Sequence, residues 1–352
     1  MSDEVPARAR TRRRPARKAW SRLSDAELLQ LRFCDLGLTV RGSPIERGVR
    51  RLYEELQARA IRCRPHVWLA EEWFTPDGVP GIAIPFYLAH PRLTQLERHL
   101  MTEAEGGNSQ SFMRILRHEA GHAIDNAYRL RRRKRWREVF GPASRRYPLH
   151  YTARPASRRY VHHLGDWYAQ AHPTEDFAET FAVWLTPHSA WRKRYAEWPA
   201  LRKLVLVDTL MTEVRGRAPA VRNRIRIEPI ETNRRTLGEH YRRKLAHYGQ
   251  YRRSTIDVLL QWLFSAQRPR RDALRVATLL RANRRVLSEK VSRELGLSRY
   301  SVHEIIRAMI ERSEALELYI RGNRRDAVHV AHWLLGRLAS LYSQGETPHM
   351  PL

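Results

Sequence analysis

At 352 residues, 42% of them hydrophobic, the chain is long enough to bury two cores. A formal net charge of +28, supplied mostly by arginine, directs attention to anionic partners and says nothing of fold. Two cysteines, Cys34 and Cys63, exclude a disulfide framework or a cysteine-based zinc module, and the lack of a signal-like or membrane-length apolar run predicts a cytoplasmic protein with no membrane insertion.

Residues 1–22, MSDEVPARARTRRRPARKAWSR, hold Arg, Ala and Pro with almost no aliphatic side chains. That composition predicts a disordered basic arm, either a solvated tail or a non-specific contact for nucleic acid. The pattern then becomes helical. SDAELLQLRFCDLGL opens on Ser24 and Asp25 as cap candidates and stops at Gly37, and ERGVRRLYEELQAR sets Val49, Leu52, Tyr53 and Leu56 on one face. HVWLAEEWF and GIAIPFYLA flank the turn signal Pro76-Asp77-Gly78 and are expected to pair as strands. A basic, turn-rich insertion lies between Asp125 and Asp166, after which EDFAETFAVWL and RKLVLVDTLMTEVRGR resume the helical pattern. Beyond about residue 220 apolar stripes at 255–264, 273–281, 300–318 and 327–342 predict helices nearly throughout and mark a domain boundary.

The stretch RILRHEAGHAIDNAY carries the chemistry. His118 and His122, four residues apart on a helix, can reach one ion, and Glu119 falls beside a water on that ion. At about 100° per residue, Asp125 joins the two histidines on one side while Phe112, Leu116, Ala120, Ala123 and Ala127 form an apolar stripe on another. With 16 histidines in the chain, chance would place such a pattern in roughly one sequence in twenty, so a second element has to support it.

DWYAQAHPTEDFAETFAVWLTP supplies that element. Pro173 lies in the first turn of a helix, and Glu175 and Glu179 share a face. In this arrangement Glu175 binds the ion and Glu179, one turn on, accepts the free N–H of a ligating histidine. The alternative is an ordinary amphipathic helix with exposed acids.

HEAGHAID followed by YAQAHPTEDFAETFA resembles the bacterial family of putative zinc-binding metallopeptidases, of the gluzincin class, with a spacing similar to that in the catalytic domain of anthrax lethal factor. EEWFTPDGVPGIAIPFYLAHPRL, ETNRRTLGEHYRRKLAHYG and IIRAMIERSEALELYI extend the likeness over most of residues 20–345. The resemblance implies an α+β fold: a zincin-like domain over 23–220, with a small sheet and the HExxH helix, then an all-α domain over 221–352. It implies Zn2+ held by His118, His122 and Glu175, with Glu179 and Asp125 supporting the ligands. Glu119 would be the general base that activates water on the zinc for peptide hydrolysis, and Tyr168 would face the developing oxyanion. The offset of 53 residues from His122 to Glu175 leaves His162, His163 and His172 as alternatives for the third ligand. In zincins the strand before this helix commonly aligns an extended substrate, a part that Ile82 to Tyr87 would play, Pro85 favouring an edge. The resemblance implies a protein or peptide substrate, and the charge leads us to expect an acidic one.

A rival reading lies at the other end. LSEKVSRELGLSRYSVHEIIRAMI fits a helix-turn-helix, with Val291, Leu295, Leu297, Val302 and Ile305 around Gly296 and Arg299, His303 and Arg307 on the recognition face. The chain would then bind nucleic acid through this region, the basic arm and residues 131–137, with the zincin fold only structural.

Overall fold

The computed structural model describes residues 19–101, 104–147, 154, 157–165, 167–248, 253–268 and 273–345, so most of the basic arm lies outside the described residues. Ser24 and Glu27 cap each other reciprocally and hold the single turn α1 (Asp25–Leu28). The helix expected to continue to Gly37 ends there. Phe33 and Cys34 donate their N–H groups to the carbonyls of Arg235 and Asn233, and a 3-10 turn at Phe33–Leu36 closes on Gly37 in the left-handed region. Pairing with a distant segment overrides the local pattern.

α2 (Ile45–Ala58) buries Ile45, Val49, Leu52 and Leu56 along one stripe. The two expected strands form β1 (His66–Ala70) and β2 (Gly81–Pro85), but they run in parallel, with Trp68 beside Ala83. The chain between them loops over, and Phe74 makes an antiparallel bridge to Ala83. β2 is buried along its whole length and gives way to a 3-10 turn at Phe86–Ala89. The side chains of Ile82 to Tyr87 are therefore core, while β2, one of two strands in its sheet among the described residues, keeps an edge away from β1 that Phe74 bridges at Ala83.

α3 (Pro91–Met101) leads to α4 (Ser109–Tyr128), where Asn108 caps the helix by accepting the Ser111 N–H. The insertion expected to be turn-rich contains α5 (Lys134–Phe140), whose Trp136 and Phe140 rings meet Phe177. That phenylalanine belongs to α6 (Pro173–Leu185), which is buried at every position. α7 (Trp191–Arg194) and α8 (Leu201–Val214) follow, and Leu204, Val207, Leu210 and Met211 close the core from that side.

α9 (Leu237–Tyr248) returns to the same core through Leu237 and Tyr241. Glu71 fixes the return, accepting a hydrogen bond from Asn233 and pairing with Arg235 and His240, while Lys244 reaches Glu72 and Glu97. The first core thus extends to Tyr241. A second runs from Ile256 to Ala339 and is enclosed by α10 (Arg253–Leu263), α11 (Val276–Leu295), α12 (Arg299–Ala315) and α13 (Arg324–Gly345).

Gly296 makes the α11–α12 turn at φ 67, a left-handed conformation that suits glycine. The face of α12 expected to read bases is engaged within the protein, with Arg299 exposed and His303 and Arg307 half-buried. No residue from 300 to 310 is exposed, Arg299 pairs with Glu289, and Arg307 pairs with Glu304. Burial, with Arg284, Arg307 and Arg299 nearby, holds His303 down to about 4. Arg131 pairs with Asp125 and Asp77, and Arg133 and Arg135 share Glu213. No helix among the described residues is long and apolar enough to cross a membrane.

Candidate metal centre

The site is made by two helices that touch at their backbones. A Cβ on Gly121, the glycine of HEAGH, would fall 2.8 Å from Ala178 Cα, closer than carbon atoms approach. Glycine at this position lets α4 and α6 meet without an intervening side chain, which brings the histidine face of one against the glutamate face of the other.

Three donor atoms converge there. Glu175 Oε2 lies 3.0 Å from His118 Nε2 and 3.1 Å from His122 Nε2, and the two Nε2 atoms are 3.2 Å apart. A tetrahedral zinc with ligand bonds of about 2.0–2.1 Å spaces its ligands by about 3.3 Å, so the triangle already has nearly the size that zinc requires. Among the described residues this is the group of histidine and carboxylate side chains that could hold a metal ion. His118 and Glu175 are buried, and His122 keeps 13% of its side chain exposed, which gives the site an opening.

Glu179 stands one turn behind Glu175. Its Oε1 lies 2.9 Å from His118 Nδ1, and its Oε2 accepts the Leu164 N–H at 2.9 Å. One carboxylate therefore orients the histidine ring and straps the chain that leads into α6. Burial pushes His118 down, but its hydrogen bonds to Glu175 and Glu179 outweigh this and raise it to about 10. Glu175 is held well below the usual carboxylate range because His122 and His118 overcome the cost of its burial.

Glu119 is 1% exposed. Its Oε2 accepts the Thr75 hydroxyl at 2.7 Å, while its Oε1 has no hydrogen-bond partner. Burial raises its carboxyl above the ordinary value, moderated by His122, His118 and Thr75. A buried carboxylate with one free oxygen beside three convergent donors suits a proton acceptor at a metal. Tyr168 opens a 3-10 turn at Tyr168–Gln170, with its ring 5.7 Å from that of His118.

The other candidates are engaged elsewhere. Asp125 accepts both the N–H and the guanidinium of Arg131, at 2.7 and 2.5 Å, which ties down the chain just after α4. His163 lies 2.9 Å from the Arg114 carbonyl, His172 caps α6 at Thr174, and His162 packs on Trp198. Two functional contacts had no signal in the sequence. Thr75 reaches Glu119 from the β1–β2 loop, and Tyr147 donates its hydroxyl to Glu175 Oε1 at 2.5 Å while stacking on His172. Neither stands at a spacing that periodicity could reveal.

Residues 94–194 match a family of zinc-binding metallo-peptidases. The description of that family is "Putative zinc-binding metallo-peptidase", and the matched segment runs from α3 to α7, taking in both helices of the site. It is the family that HEAGHAID and YAQAHPTEDFAETFA resemble. No curated protein and no solved structure matches the chain. Zinc is thus the metal that both the family description and the donor set favour.

Proposed function

We propose that the chain is a zinc-dependent metallopeptidase with a zincin-like fold over its first core. His118, His122 and Glu175 hold the zinc, with Glu179 and Glu119 as orienting and proton-accepting carboxylates. The observation that carries this reading is the triangle of three donors at zinc spacing beside a buried Glu119 oxygen that has no other partner. When bound, zinc supplies Lewis acidity toward a carbonyl and acidifies water.

The chain's own residues do the rest. Glu119 takes the proton from the attacking water at Oε1 and returns it to the leaving nitrogen, while Thr75 keeps Oε2 fixed. Glu179 keeps His118 turned with Nε2 toward the site. Tyr168 donates its hydroxyl to the oxyanion. The net charge of +28 favours acidic substrates.

The test is a peptide-library cleavage profile of the wild type, the Glu119→Gln variant and the chelated protein. Glu119→Gln should keep one zinc per chain and lose turnover by ~10² to 10⁴-fold. Cleavage by the variant at the wild-type rate would refute the assignment.

A further inference from the structure

Tyr168 and its neighbour Trp167 face opposite ways. Tyr168 meets His118 in the first core, whereas the Trp167 ring packs among the residues of the second. The contact is close at the ring and continues along the loop before it. A Cβ on Gly296 would fall 2.8 Å from Trp167 Cζ2, and one on Gly165 would fall 3.8 Å from the Ser298 N. The short loop before Tyr168 is therefore seated against the α11–α12 turn. The exchange is reciprocal, since Tyr300 of α12 packs on the first core.

Trp167 also sits at φ 50, φ 50 being a left-handed conformation that a bulky residue adopts only when its surroundings enforce it. Its carbonyl accepts the Gln170 N–H at 2.9 Å, and the Tyr168 carbonyl accepts the Ala171 N–H at 2.9 Å. The turn that carries Tyr168 is thus built on the residue that the second core holds.

We propose that Trp167 is a positioning residue through which the C-terminal helices fix Tyr168 at the metal centre, an inference that rests on the role given to Tyr168 above. The C-terminal unit then acts on catalysis without contributing a group to it. Removing the indole should let the Tyr168–Gln170 turn move, and a displacement of even about 1 Å at a reacting centre costs up to about 10²-fold in rate.

The experiment compares the full-length zinc-loaded wild type with Trp167→Ala and Trp167→Phe. Three readouts are used: zinc content, kcat and KM on a cleaved peptide, and amide exchange by mass spectrometry over residues 160–172 and 276–315. Trp167→Ala should retain its zinc, lose kcat by ~10- to 100-fold with KM little changed, and exchange the Gln170 and Ala171 amides about tenfold faster. Trp167→Phe should recover most of both. Gly296→Ala, which pushes a methyl group toward the ring from the other side, should raise exchange in the same turn. Wild-type exchange at residues 168–171 in Trp167→Ala would overturn the proposal, as would equal loss of protection throughout 276–315. A wild type without turnover would refute the peptidase reading, and the exchange comparison would still decide whether Trp167 holds the turn.

Discussion

Zinc binding should expel a proton from His118, with a pH dependence that the structure fixes in sign. In the metal-free protein His118 is held at about 10 against an ordinary 6.5 by Glu175 and Glu179, so at pH 7 it is an imidazolium, and zinc needs its neutral nitrogen. The gap of roughly three pH units costs about 4 kcal/mol, or roughly 10³ in apparent zinc affinity at pH 7. Apparent affinity should rise about tenfold per pH unit and level off near pH 10, with at least one proton released per zinc at neutral pH.

The same raised value gives the metal-free protein stability that is complete below about pH 6.5 and lost as pH rises through about 10. That span corresponds to roughly 5 kcal/mol at most, counted once because Glu175 and Glu179 share the coupling. Calorimetry of zinc binding in buffers of different ionisation enthalpy measures the protons, and melting of the metal-free protein across pH 6–10 measures the stability. Replacing Glu179 with Gln should weaken the hold on His118 and move the plateau in affinity to lower pH. Proton release near zero at pH 7, with affinity flat in pH, would refute the coupling of His118 to the two carboxylates.

Gly121→Val should drive a side chain into the Ala178 backbone, destabilise the fold by about 1–3 kcal/mol or more, and reduce zinc content in parallel, as melting and metal analysis would show. Thr75→Val should leave zinc in place and lower kcat by up to roughly 10- to 100-fold by releasing Glu119 Oε2, whereas Thr75→Ser should restore it. Tyr168→Phe should keep the zinc and lower kcat by about 10²-fold; unchanged kcat would remove Tyr168 from the oxyanion role.

The donors that converge were legible because helical spacing is local. His118 and His122 are one turn apart, and so are Glu175 and Glu179, so each pair could be placed on a face before either helix was placed in space. What could not be read depends on contacts between distant segments. Residues 29–36 carry a helical pattern, but Leu29, Leu31, Phe33 and Cys34 exchange backbone bonds with residues 233–238. The parallel β1–β2 pairing is set by how residues 71–80 loop over the sheet, and the turn signal within them does not encode that. Thr75 and Tyr147 act through hydroxyl hydrogen bonds to carboxylates 44 and 28 residues away. Asp125 shares the helical side of the histidines, yet Arg131 takes its charge.

Because Gly121 and Ala178 bring the two ligand helices together by direct backbone contact, the length of chain joining them is not part of the metal's geometry. The cost of closing a loop grows only as the logarithm of its length, about 0.6 kcal/mol for each doubling. The offset of 53 residues between His122 and Glu175 is therefore thermodynamically inexpensive. What constrains residues 129–172 is then their few anchors, Tyr147 on Glu175, the Leu164 N–H on Glu179 and Tyr168 beside His118, so a change of length between those anchors should leave the coordination triangle in place while a change at any one of them should not.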